Sequence, residues 1–283
     1  MKSQWECLLQ NLGEWQGSFT RVSPTGELLV DTPTVVDLAG LNNNQVIRQK
    51  ILRFSPTGEV SEKVLEYSSL GRSVLFFDNG AFSQGSMQFA PFSEFGAELG
   101  LIDGERRLRL VQFFNKNSQL EEITLIREIL AGTQPGEIPN LTVKQLLGEW
   151  VGEAVTIYPD WRSPNTYPTH LKIYLNESEQ LVQELSFANR TIDSIAKIQG
   201  SILYFEQSAQ KIQVLLLPNG ASATFPSQIK LGQSFFLEVG WLYTANQRQR
   251  LIRSYNEKGE WVSLTLVKEI KTAGSENGKE QIN

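Results

Sequence analysis

The residues best able to do chemistry are few. The chain carries one histidine, His170, and one cysteine, Cys7. That excludes a Cys₂His₂ zinc site, a His₃ site, and a Cys–His pair built twice. His170 falls in "YPTHLKIYL", which reads as a strand, and is expected to be an ordinary strand histidine rather than a base. Cys7 lies on a short apolar helical segment and is read as a packed thiol rather than a nucleophile. What remains is carboxylate and guanidinium: Glu98 with Arg107 and Arg109, and Glu238 with Arg248 and Arg250. A carboxylate base is one chemistry open to Glu98 or Glu238, but pairing with arginine keeps such a group ionised and weakly basic. No nucleophile–base pair accompanies them, so no catalytic residue, cofactor or metal site is assigned.

The strands that carry these groups can be registered from their turns. Around a turn at Asp103-Gly104, Glu98 faces Arg109 and Gly100 faces Arg107. Centring the second turn on Thr244 sets Glu238 against Arg250 and Gly240 against Arg248. Side chains alternate along a strand, so Ala97, Leu99, Leu101, Leu108 and Leu110 share the opposite face, which reads as core. The Glu–Arg ladders are therefore expected to point outward. They are either cross-strand surface pairs worth roughly 0.2–1 kcal/mol, or a protein-docking surface, arginine being enriched at interface hot spots.

Both ladders belong to a larger repetition. "LGEWQG" at 12–17 returns as "LGEWVG" at 147–152, an offset of 135. "NGA" at 79–81 and "ELG" at 98–100 return 140 residues later, the second as "EVG", and "RLRLVQFFNKNSQLEEITLIREI" returns 141 later as "RQRLIRSYNEKGEWVSLTLVKEI". Such a slow drift describes two copies of one topology with small loop insertions. The Gly- and Pro-bearing stretch 130–140 reads as the linker, giving domains at 1–133 and 141–272 and a polar, disordered tail at 273–283. Each copy opens with a short helical turn and continues as alternating β-rich runs. Asn-Gly sits between apolar runs in "VLFFDNGAFS" and "VLLLPNGASA", a strong hairpin signal. Eight to ten strands per copy and no long helix predict all-β architecture, an antiparallel barrel in each half.

Composition agrees and narrows the partners. The 283 residues are 40% hydrophobic and 20% charged, with a net charge of −5, which offers no electrostatic case for nucleic acid. No apolar run approaches the roughly 20 residues of a membrane span. The N-terminal stretch lacks signal- and transit-peptide character, and a lone cysteine suits a reducing compartment, so a cytoplasmic setting is expected.

In the last strand of each copy, Ile123, Leu125 and Arg127 share one face, as do Leu264, Leu266 and Lys268. A cation on an apolar face needs a partner or an aromatic ring, and the early tryptophans, Trp15 and Trp150, are the rings at hand. This Gly-x-Trp with a late-strand cation resembles the lipocalin/calycin superfamily, in which the pair closes one end of the barrel; the resemblance assigns closure to Trp15 with Arg127 and to Trp150 with Lys268. Over essentially the whole chain, Trp5, both "LGEW" openings and the closing "ITLIREI" and "LTLVKEI" resemble a cyanobacterial and plant-chloroplast family of tandem lipocalin-like barrels, long labelled a domain of unknown function. Its plant branch includes factors that assist assembly of the soluble head of ATP synthase. The resemblance implies a non-enzymatic assembly factor with a protein partner, ATP synthase subunits among them. "ERRLRLVQ" is also similar to an Arg-rich strand of the lipocalin-like lyases that attach bilins, which are generally single barrels.

Two further features bear on binding. Phe76, Phe77, Phe82, Phe89, Phe92 and Phe95 could line a site for a small apolar ligand or pigment, or simply fill a core. The loop region 157–170 has no counterpart in the first copy and concentrates Trp161, Tyr158, Tyr167 and Arg162. It is either a lid packed on its own barrel or a recognition loop anchored by Trp161.

Overall fold

Alternating side chains and frequent turn residues leave this chain few helical stretches, and strands with their turns make up most of the computed structural model. It describes residues 2–206 and 210–272; the tail at 273–283, expected to be disordered, lies outside the described residues. A single-turn helix α1 (Gln4–Leu8) opens the first copy. Ser3 Oγ accepts from the Glu6 N–H at 3.2 Å while the Glu6 carboxylate accepts from the Ser3 N–H at 2.7 Å, a capping box that starts the helix. Nine strands follow: β1 (Gly13–Val22), β2 (Leu28–Leu41), β3 (Val46–Phe54), β4 (Val60–Tyr67), β5 (Val74–Phe76), β6 (Phe82–Gly85), β7 (Phe95–Asp103), β8 (Arg106–Phe114) and β9 (Leu120–Leu130). They form one curled antiparallel sheet in the order β4-β3-β2-β1-β9-β8-β7-β6-β5.

The second copy repeats this and closes. After helix α2 (Val143–Leu146) come β10 (Gly148–Ile157), β11 (Asn165–Leu175), β12 (Leu181–Phe187), β13 (Arg190–Gln199), β14 (Ile202–Phe205), β15 (Ile212–Leu216), β16 (Ala221–Pro226), β17 (Phe235–Leu242), β18 (Gln247–Tyr255) and β19 (Trp261–Lys271). They form a closed ten-stranded barrel. The closing piece is β14, which pairs with β13 on one side and β15 on the other and has no counterpart in the first copy. There, β4 is left as a free edge, exposed along residues 60–66. The Gln4 side chain instead caps the short β5, accepting from the Phe76 N–H at 2.7 Å and donating to the Phe76 carbonyl at 2.9 Å.

The sheets meet through their outer faces. Leu99, Leu101, Leu108, Leu110, Ile123 and Leu125 are fully buried, and they share one apolar cluster with Leu237, Val239, Trp241, Leu251, Leu264 and Leu266 of the second copy. The contact is reciprocal. The Phe89 N–H donates to the Gly259 carbonyl at 2.8 Å, and Ile229, 140 residues on, donates to Ser118, the counterpart of Gly259, at 2.9 Å. Bridges Gln88↔Glu260 and Gln119↔Gln228 exchange the same way. Gln112 Nε2 reaches the Glu238 carbonyl at 3.1 Å, and its counterpart Arg253 reaches Ser83 Oγ at 3.2 Å and the Ser86 carbonyl at 3.1 Å. Two like patches facing each other make an isologous interface, here built within one chain. At its centre, Phe95 packs edge-on against Phe235 and Tyr255, at centroid distances of 5.6 and 5.1 Å.

The apolar face read from sequence as the core of each barrel is therefore its outside, and burial comes from the other copy. We expect Phe95→Ala to cost about 3–5 kcal/mol, the usual price of truncating a buried phenylalanine. Both halves should be destabilised in a single denaturant transition followed by tryptophan fluorescence.

Candidate functional site

With the apolar face outside, the alternate face points inward, and it carries the charges. The Glu–Arg ladders expected at the surface are inside the barrels: Arg107, Arg109, Arg248 and the bridging carboxylates are all buried. The register also differs from expectation. Gly104, at φ +55°, takes the first place of a two-residue turn, where glycine is favoured. Gly100 therefore faces Arg109 and Ile102 faces Arg107, while Glu98 lies diagonal to Arg109. In the second copy the turn centres on Ala245, and Gly240 faces Arg250 and Leu242 faces Arg248. A slip of one pair of residues keeps every side chain on its face.

The residue that organises each cluster is one that sequence reasoning did not single out. Glu128, on β9, accepts from Arg107 Nε at 2.7 Å and from Arg109 Nη2 at 2.7 Å, and Arg109 Nη1 donates onward to Glu98 Oε1 at 2.6 Å. Glu269, on β19, accepts from Arg248 Nε and Arg250 Nη2, both at 2.8 Å. Burial opposes the charge on Glu128, yet Arg109 and Arg107 outweigh it and hold the carboxyl down at about 2; Arg248 and Arg250 do the same for Glu269. Burial lowers Arg107 and Arg248, whereas Arg109 and Arg250, each facing two carboxylates, are raised. The signal was present in the repeat: "REI" and "KEI" keep the same glutamate in both copies.

The tryptophan plugs exist, but their cations come from elsewhere. Arg107 lies over Trp15 at 4.5 Å, and Arg248 over Trp150 at 4.6 Å with Lys271 at 5.1 Å. Arg127 and Lys268, expected in those places, share the outward parity of Leu125 and Leu266. Arg127 instead donates to Thr20 Oγ1 at 2.7 Å and to Asp31 at 3.1 Å, and Lys268 is exposed. The second glycine of each opening phrase completes the arrangement. A Cβ on Gly17 would strike the Arg127 carbonyl, and one on Gly152 would strike the Lys268 carbonyl and stand 3.0 Å from the Glu269 side chain.

The two interiors differ in content. The second barrel holds a cavity of about 630 Å³, reaching the surface at Ile192, that Arg248, Arg250 and Glu238 help to line. The other residues singled out from sequence lie apart from it. Cys7 is buried against Asp78, Sγ to Oδ1 3.4 Å, and burial pushes its thiol up to about 11. His170 is half-exposed, with Nε2 3.6 Å from Glu149. Trp161, in the β10–β11 connection, is 64% exposed, so it does not pack as a lid. No group of three or more metal-ligating side chains occurs among the described residues.

Comparison with known proteins gives this architecture a family. Residues 1–133 match the profile of "domain of unknown function (DUF3598), N-terminal", and residues 137–272 match "Biogenesis factor required for ATP synthase 1, C-terminal domain". A Nostoc punctiforme protein of the DUF3598 family, of unknown function, is 55% identical; the alignment covers 96% of this chain and 100% of that one at a TM-score of 0.92. The chain belongs to the DUF3598 family. An S-type phycobiliprotein lyase from Guillardia theta aligns at 10% identity over 47% of this chain and 92% of its own, with a TM-score of 0.35, a likeness that transfers no activity to a DUF3598 protein. No curated protein matches the chain. Among the described residues no helix is long and apolar enough to cross a membrane.

Acid should find the weak point of these clusters. The folded pKa values of Glu128 and Glu269 lie below the ordinary 4.5, so the stability they contribute is present above about pH 4.5 and is lost as pH falls toward about 2. Glu128→Ala, which leaves two buried guanidiniums without their carboxylate, should cost about 3–5 kcal/mol. Urea unfolding across this pH range should show wild-type stability falling steeply and the Glu128→Gln/Glu269→Gln variant changing much less.

Proposed function

We propose that the protein is a non-enzymatic biogenesis factor that binds a subunit of the soluble head of ATP synthase during assembly, working in the cytoplasm. The observation that carries this reading is the match of residues 137–272 to a domain named for a factor required for ATP synthase.

The geometry supports it. Glu128 and Glu269 are committed to two arginines each and held ionised, which suits a structural carboxylate rather than a proton-transfer base. The one thiol is buried and protonated near neutral pH. With six of the seven ladder and loop residues turned inward, Trp161 is the one left at the surface to anchor a partner. Its backbone φ of +64° is a conformation large side chains rarely adopt, and Arg162 stacks over Tyr158 beside it at 3.8 Å. An exposed tryptophan on a structured loop is the kind of residue that dominates a protein interface.

The test is affinity capture of the tagged full-length chain from cells that express it, with identification of the captured subunits by mass spectrometry. Subunits of the ATP synthase head should be recovered, and loss of the gene should lower the amount of assembled head on native gels. Trp161→Ala should weaken capture at least tenfold while leaving the melting temperature within about 1 °C, as a surface substitution does. Unchanged assembly in the deletion, or capture of no head subunit, would overturn the proposal.

A further inference from the structure

The two barrels share the buried Arg–Glu cluster and differ in what lies beside it. In the first copy, Phe19 stands on the inner face of β1, with Arg109 over its ring at 5.5 Å and Arg53 at 5.4 Å. Phe82, on β6, lies so close to Gly100 that a Cβ there would collide with the ring, and it stacks on Phe76 at 5.1 Å. The repeat maps Phe19 onto Ala154 and Phe82 onto Ser222. Gly240 is the counterpart of Gly100, and the nearest atom to a Cβ there is now the Ser222 hydroxyl in place of a ring. Two aromatic rings that fill the first interior are thus replaced by a methyl and a hydroxymethyl group. Ala154 and Ser222 both line the cavity of about 630 Å³, a volume in the range of small-molecule sites.

The cavity is chemically graded. Its walls include Leu171, Leu185, Leu203, Phe205, Val214 and Ile252, and it extends to Ile192, half-exposed near the β12–β13 turn. Its deep end is the ion cluster, with Arg248 resting on the Trp150 plug. Thr169 is among the lining residues, its Oγ1 buried and without a hydrogen-bond partner. The cluster itself is looser here than in the first copy. Arg250 Nη1 stands 3.3 Å from Glu238, where the corresponding Arg109 stands 2.6 Å from Glu98. Glu269 is held by both guanidiniums, so Glu238 is the carboxylate that an incoming group can replace. Burial raises its pKa against the pull of Arg250 and Arg248, so it gives up its charge more readily than an ordinary glutamate. Apart from Glu238, the two guanidiniums share one carboxylate, Glu269, so the pair has charge to offer an incoming anion.

We propose that the second barrel binds an elongated amphipathic carboxylate, its head at Arg250 and Arg248 and its apolar body along the leucine-lined wall, in a site that Phe19 and Phe82 fill in the first copy. Charge-assisted bonds to a guanidinium are the strong ones, and here the Arg248 and Arg250 side chains are only 7% and 13% exposed.

The first copy supplies the control. Titration calorimetry of the full-length chain with hexadecanoate should give one site per chain. Hexadecanol, which has the body without the head, should bind at least tenfold more weakly. Ala154→Phe/Ser222→Phe installs the side chains the first barrel already accommodates beside the same glycine, and it should abolish uptake while circular dichroism and melting temperature stay as in wild type. Glu238→Gln removes the competing carboxylate and should tighten hexadecanoate at least threefold with no change for hexadecanol. The proposal is overturned if hexadecanoate does not bind, if the acid and the alcohol bind equally, or if the folded double-phenylalanine variant still takes up the acid.

Discussion

A carboxylate gripped by two guanidiniums inside a β-barrel is the interaction on which the rest of this molecule depends. Placing charge there is costly unless every ion is paired. Glu128 and Glu269 meet that condition because β8 and β18 each present two arginines at i, i+2 on one face, and because β9 and β19 run beside them in register. The pairing also explains the repeated opening phrase. Trp15 and Trp150 give the deeper arginine a π-face to lie on, and Gly17 and Gly152 let the last strand come close enough to deliver its glutamate. Trp, Gly, Arg, Arg and Glu form one unit, and the chain contains it twice.

The ions sit inside because the outside is claimed. Each sheet offers a smooth apolar face, and the two faces bury one another about a pseudo-twofold axis that pairs Phe89 with Gly259 and Ile229 with Ser118. Apolar area removed from water there is worth about 25 cal/mol per Å² whichever copy supplies the cover. A strand has two faces. Once the outer one is committed to the partner sheet, the alternate positions must serve the interior, and these are the positions that hold Arg107, Arg109 and Glu128. An isologous patch that has found its counterpart within the same chain is no longer available for pairing with a second molecule.

Much of this was legible in the sequence. The offsets of 135, 140 and 141 gave the duplication, the Asn-Gly turns located hairpins, and the alternation in "RLRLVQF" identified which residues share a face. The alternation could not say which face looks inward. Leu99, Leu101 and Leu108 would read identically whether buried by their own barrel or by a neighbouring sheet, and that single ambiguity moved the Glu–Arg ladder to the wrong side and assigned Arg127 and Lys268 to the tryptophans. The two-residue slip in the β7–β8 register has a local cause, the preference of Gly104 for the first turn position. The closing strand β14 was hidden for a different reason: "ILYF" is too short to show a period and has no partner in the other copy to align with.

Where the copies part company, they do so by exchanging contents for closure. The first sheet is open, lacking a strand between β4 and β5, and Phe19, Phe82 and the α1 segment pack inside it around Trp15, Arg109 and Gly100. The second is closed by β14 and hollow. A closed barrel of this size can be filled by side chains or hold one small ligand. Ala154 and Ser222 are small in the copy that β14 closes. The same trade leaves the Arg–Glu cluster sealed under aromatic rings in one half and facing open space in the other, so that one duplicated unit serves as a keystone in the first copy and as a reachable charged floor in the second.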